Sequence, residues 1–234
     1  MSIRGKDSAK DSGKDSSKAA SQRLYNVGVI GKSGNGKSSF INAYFSLPHK
    51  EEYAARTDVV ECTSGTHPYH LPGSDVVLWD VPGYDTQNVP YGPEYLKKIN
   101  FKSYDFYVHV SCTKIEETEL LLHSAIAKQG KRYFYVRTKI DRDLKNQKKA
   151  HPRTFNEDNE KEAILKKIED CFPDVPVFLV SCREPEGHDL PTLRSLVADG
   201  ANFSLKSHRD IVKRKLHATG RATKPFLEKF CVLL

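Results

Sequence analysis

Little in this sequence supports a disulfide-stapled, metal-stapled or membrane-spanning chain. Its five cysteines, Cys62, Cys112, Cys171, Cys182 and Cys231, are odd in number and include no CxxC pair, so a reducing compartment is expected. No apolar run approaches the roughly 20 residues that cross a bilayer, and the N-terminus lacks the apolar stretch of a secretory leader. The expectation is a cytoplasmic protein whose membrane contact, if present, is peripheral. His67 and His70 flank Pro68-Tyr69 in what reads as a polar loop with no other spaced ligands, so no structural metal is expected there.

The net charge of +7 suggests a nucleic-acid partner until it is located. Residues 1–23 carry six Lys/Arg against three Asp and residues 204–234 carry eight against two, which leaves −2 for residues 24–203. Basic tails without a base-reading motif are solvated or membrane-surface segments, so no nucleic acid is expected. Residues 5–18 repeat Lys-Asp-Ser with almost no apolar content and cannot offset the entropy of ordering. The expected organisation is a disordered arm over 1–22, one nucleotide-binding domain over 23–203 and a basic, partly helical extension over 204–234.

Within the domain, LYNVGVIG from Leu24 reads as a buried strand ended by Gly31, followed by a helix from Lys37 to about Phe45. Further strand-like runs occupy 75–80, 104–110, 132–138 and 175–181. They alternate with helix-like stretches near 93–100, 115–129, 156–171 and 189–199. This alternation predicts a three-layer α/β domain, a mainly parallel central sheet with helices on both faces. Aromatics such as Tyr104, Phe106, Tyr107, Tyr133, Phe134 and Tyr135 fall on its strands, where core packing explains them.

Ligands of such sheets bind beyond the carboxyl ends of the strands, and four motifs sit there. The first, Gly31-Lys32-Ser33-Gly34-Asn35-Gly36-Lys37-Ser38, has the glycines that let backbone N–H groups turn toward phosphate oxygens. Lys37 adds charge at the β/γ-phosphates, Ser38 places a hydroxyl on Mg²⁺, and Ser39 lies in the first turn of a helix whose positive end faces the anion. The second is Asp80-Val81-Pro82-Gly83. Asp80 is placed to hold a Mg²⁺-bound water and Gly83 to offer its N–H to the γ-phosphate, although D-x-P-G alone is also a common turn.

The third, Thr138-Lys139-Ile140-Asp141, addresses the base. The Asp141 carboxylate accepts from guanine N1–H and N2–H₂, the Lys139 stem lies along the base, and Thr138 braces the loop. The fourth, Ser181-Cys182, either brings an N–H toward guanine O6 or is a plain strand end.

Together these residues resemble the immunity-related, or interferon-inducible, GTPases, which carry G-x-x-G-x-G-K-S, W-D-x-P-G and R-T-K-x-D. The runs Tyr104-Asp105-Phe106, Phe178-Leu179-Val180-Ser181 and Asp189-Leu190-Pro191-Thr192-Leu193 extend the resemblance over about residues 24–200. It implies a P-loop GTPase fold, GTP and GDP as ligands, and a first switch in TDVVECT containing Thr57 and Thr63, with Thr63 on Mg²⁺. It also makes Glu61 a catalytic candidate beside Lys37 and Thr63.

Gly83 is followed by Tyr84 and Asp85, with Gln87 further along, rather than by a glutamine that orients water, so slow unaided turnover is expected. The resemblance further implies self-association through the GTP domains when GTP is bound. Two departures stand out: the family carries helical regions on both sides of the GTP domain, including a sizeable one after it, where this sequence has only a short basic extension, and Asp58 stands where glycine is common.

At the C-terminus Cys231-Val232-Leu233-Leu234 has the C-a-a-X form below a basic segment, which is either a lipidation signal or the apolar end of a docked helix. Besides hydrolysis, the residues leave open a GTP-dependent binding module with negligible turnover. Lys139 and Asp141 disfavour an ATP-using alternative.

Overall fold

The computed structural model describes residues 24–47, 55, 65–70, 74–84, 90–173 and 175–198. Six strands form one sheet: β1 (Tyr25–Ile30), β2 (His67–His70), β3 (Val76–Asp80), β4 (Phe106–Ser111), β5 (Tyr133–Arg137) and β6 (Val177–Leu179). Their order is β2-β3-β1-β4-β5-β6, with every pairing parallel except that of the edge strand β2 with β3. The helices are α1 (Lys37–Tyr44), α2 (Pro93–Lys98), α3 (Glu117–Lys128), α4 (Ile140–Ala150), α5 (Glu157–Cys171) and α6 (Leu190–Ala198). The chain has the mainly parallel α/β architecture that its alternating strand and helix patterns predict.

The central strands carry apolar residues on both faces because each face is covered. Val27, Val29, Val108, Val110, Phe134 and Val136 pack on one side with Phe40 and Ile41 of α1 and Leu193 of α6. Their alternates Ile30, Tyr107, Tyr133 and Tyr135 pack on the other with Leu122 of α3 and Leu165 and Ile168 of α5. The strand aromatics are thus core residues.

Two elements differ from expectation. His67–His70 is not a polar loop but an antiparallel strand held by its register, His67 opposite Asp80 and His70 opposite Val77. Three of its four residues are exposed, which leaves no apolar alternation to read. The unexpected α4 has only Ile140 and Leu144, one turn apart, as buried residues, so packing by a single pair replaces the usual apolar stripe.

Gly31 ends β1 at φ +149°, and a Cβ there would lie 2.2 Å from the Val110 carbonyl oxygen of β4. The replacement Gly31→Ala is expected to destabilise the fold by about 3 kcal/mol, read from the urea midpoint, because backbone rather than a yielding side chain blocks the space. An unchanged midpoint would show that β1 and β4 separate at that end without cost.

Candidate nucleotide site

The loop after β1 turns with Gly34 at φ +77° and Gly36 at φ +92°, a left-handed conformation that favours glycine. Gly36 is also the residue before α1, where no side chain caps the helix and no acidic residue occupies the first turn. The N–H groups at the start of α1 and its positive dipole end are therefore open to an anion, with no competing carboxylate from their own helix.

The loop is clamped by the other strand ends. Thr138 Oγ1 donates to the Asn35 carbonyl at 2.7 Å and Lys139 Nζ donates to the Gly34 carbonyl at 2.9 Å. From β4, Val110 offers its carbonyl to Asn35 Nδ2 at 3.2 Å. Lys139 itself sits at φ +59° before α4, a costly conformation for a residue with a Cβ, which the bonds around it sustain. Asp141, in the first turn of α4, accepts from Ser181 Oγ at 3.0 Å. Ser181 thus meets the loop through its hydroxyl, a contact distinct from the backbone N–H considered from sequence. Beside it, burial and then the Asp141 carboxylate push the Cys182 thiol up to about 12 against the opposing charge of Lys139, so it stays protonated.

Lys37 is 7% exposed and its ammonium donates to the carbonyls of Gly31 and Lys32 at 3.2 and 3.3 Å. Burial lowers its pKa from 10.5 to about 8, partly offset by the Asp80 carboxylate. Asp80 closes β3 and accepts from Ser38 Oγ at 2.6 Å through Oδ2. Its Oδ1 is buried without a hydrogen-bond partner, and burial raises its pKa. An orphaned carboxylate oxygen beside a hydroxyl is a hard-oxygen environment that fits Mg²⁺.

Gly83 lies against the loop, where a Cβ would meet Ser33 N at 2.6 Å and Lys37 Nζ at 2.8 Å. The following residue, Tyr84, accepts from Ser33 N–H at 3.0 Å through its carbonyl. The structure thus gathers Gly31 to Ser39, Asp80, Gly83, Thr138, Lys139, Asp141, Ser181 and Cys182 at one end of the sheet. Glu61 and Thr63, like Thr57 and Asp58, lie outside the described residues, as does Cys231.

Sequence reasoning missed two supports. Asn42 of α1 donates to the Ala55 carbonyl at 2.8 Å and accepts from the Ala55 N–H at 2.7 Å, holding the main chain just before the TDVVECT segment as a strand partner would. Glu116 pairs with Lys32 of the loop at 2.9 Å. Neither belongs to a local pattern; only the buried asparagine in an otherwise apolar helix face could have drawn attention.

A family model described as "Interferon-inducible GTPase (IIGP)" matches residues 11–217. Interferon-inducible GTPase 1 of Mus musculus is 37% identical over 187 residues, covering 75% of this chain and 44% of that protein. Interferon-inducible GTPase 5 of Bos taurus is 41% identical over 179 residues, covering 72% and 37%. The chain spans less than half the length of these curated relatives. Among solved structures, Toc33 from Arabidopsis thaliana, in complex with GDP and Mg²⁺, is similar in fold at a TM-score of 0.52 and 16% identity, covering 76% of this chain and 84% of that one.

Proposed function

Because the chain belongs to the interferon-inducible GTPase family, we propose that it binds GTP and GDP and hydrolyses GTP with Mg²⁺, slowly when alone and faster on self-association. The reading rests on one observation above all. Thr138 and Lys139 of the base loop bond directly to Asn35 and Gly34 of the phosphate loop, so base and phosphate recognition form one rigid unit.

In this reading Lys37 and the loop N–H groups bind the polyphosphate and stabilise charge as the terminal phosphoryl leaves. Ser38, Thr63 and, through water, Asp80 would hold Mg²⁺. Held there, the ion would supply charge neutralisation to the phosphate groups. Glu61 positions the attacking water. Tyr84, fully buried directly after Gly83, has no side chain free to do so, which favours slow unaided turnover. The basic C-terminal segment, with Cys231 as a lipid acceptor, would hold the protein at intracellular membranes from the cytoplasmic side.

Turnover per molecule, measured against protein concentration alongside GTP and ATP affinity, tests the reading. Rising specific activity with tighter GTP binding supports it, and hydrolysis undetectable at every concentration would leave a GTP-dependent binding module instead. A pH dependence should accompany nucleotide binding. Phosphate requires the charged lysine, which the free protein deprotonates near pH 8. GTP affinity is therefore expected to be flat below about pH 8 and to fall above it by up to about tenfold per unit. Calorimetric titrations from pH 6.5 to 9.5 check this, and a flat profile would mean that Lys37 stays charged throughout.

A further inference from the structure

The base loop starts at a strand end and finishes in a helix that packing holds only lightly. Ile140 and Leu144 are the buried residues of α4, and no side chain caps its N-terminus. Its first N–H groups turn back on the loop itself, those of Arg142 and Asp143 reaching the Lys139 carbonyl at 3.0 and 3.2 Å. Lys139 presents that carbonyl from φ +59°, a conformation that costs energy for any residue with a Cβ. Asp141 stands in this turn, so its carboxylate is placed only as securely as the turn is held.

Arg137, the last residue of β5, ties the turn down. Its Nη2 and Nε donate to Asp143 Oδ2 at 2.7 and 3.2 Å, and its Nη1 donates to the Thr113 carbonyl, two residues past the end of β4. The main chain at Arg137 is fixed as well, because its carbonyl accepts from the Val180 N–H at 2.8 Å, just beyond β6. One planar guanidinium thus joins the ends of β4 and β5 to the start of α4, across the whole of Thr138 to Arg142. The two side chains of the pair are 14% and 20% exposed, so water screens it only in part. A lysine ammonium, a single point charge, lacks the fork that spans both acceptors.

We propose that Arg137 is a positioning residue for base specificity: through Asp143 and Thr113 it fixes the first turn of α4 so that the Asp141 carboxylate meets both guanine donors, N1–H and the 2-amino group. The proposal rests on the GTP-binding reading given above. Two hydrogen bonds to one carboxylate demand a fixed angle as well as a fixed distance, whereas a single bond tolerates rotation. A loosened turn therefore costs a base with two donors more than a base with one.

The probes are GDP and inosine 5′-diphosphate, which lacks the 2-amino group. They are titrated into the full chain as wild type, Arg137→Lys, Arg137→Ala, Asp143→Ala and the double alanine variant. Wild type should prefer GDP by about thirtyfold, the worth of one hydrogen bond to a charged group. In each variant GDP affinity should fall about tenfold and inosine diphosphate affinity by no more than about threefold, so that the preference shrinks to about tenfold. The double variant should lose no more than the worse single one, since both break the same pair. Equal weakening of the two probes would mark Arg137 as a residue of the fold alone and overturn the proposal, as would unchanged affinities or additive losses in the double variant. If Arg137→Ala does not fold, Arg137→Lys and Asp143→Ala carry the same expectations. A wild-type protein that binds neither probe, or prefers neither, would remove the guanine reading and this proposal with it, whereas a GDP preference that survives intact in the variants would remove this proposal alone.

Discussion

Replacing Lys37 with alanine is expected to slow single-turnover GTP hydrolysis by about a thousandfold. The ammonium is the one charged group that the phosphate loop itself buries, and it lies between the loop carbonyls and Asp80. On the proposed reading its value to the transition state would come from the same burial that makes it costly in the free protein. There, the folded-state pKa of about 8 lies below the ordinary 10.5, so the fold disfavours the charged form. That cost is present in full below about pH 8 and disappears as the unfolded chain also deprotonates near 10.5.

Lys37→Ala should therefore raise the nucleotide-free Tm by at least about 2 °C at pH 7, with the gain shrinking above pH 8. Loss of turnover together with gain of stability distinguishes a functional charge from a structural one. Unimpaired phosphate release in this variant would take catalysis away from the loop, and a lowered Tm would show that the two carbonyl contacts outweigh desolvation.

The second large effect is expected at Asp141. On the proposed reading a carboxylate there would accept two charge-assisted hydrogen bonds from guanine, so Asp141→Asn should weaken GTP binding by about a thousandfold. An asparagine amide presents one donor and one acceptor, which suits xanthine, where a carbonyl replaces the guanine amino group. Affinity for xanthosine triphosphate should rise as that for GTP falls. The Ser181 hydroxyl now donates to Asp141 Oδ1 and can donate equally to an amide oxygen, so the loop should keep its shape. Competition of the three nucleotides GTP, xanthosine triphosphate and ATP against a fluorescent GDP reports the switch; retained GTP preference would place base recognition elsewhere.

The parts of this molecule legible in the sequence are those written in neighbouring residues. The phosphate loop, its strand and its helix occupy one continuous stretch, and Thr138 to Asp141 follow a strand that is apolar and aromatic up to Arg137. Their place on the expected central strands likewise put the aromatics in the core. What stayed hidden depends on partners distant in the chain. The strand status of His67–His70 comes from pairing with β3, and α4 is a helix with too few apolar residues to announce itself.

The Asn42 to Ala55 pair and the Ser181 to Asp141 bond join residues that no spacing rule connects. Gly83 illustrates the difference well. D-x-P-G could be read as a turn or as a phosphate sensor, and only the 2.6 Å approach to Ser33 shows what the missing side chain makes possible.

The modest β2 has a further consequence for how copies of this chain can meet. A sheet grows by adding strands at its margins, and here one margin is a four-residue strand containing Pro68, which has no N–H to give. The opposite margin, β6, has three residues, all buried. Among the described residues neither margin offers a long, regular template for fibril-like stacking. Contacts between copies made through the described residues would then rest on shape and side-chain chemistry rather than on strand addition.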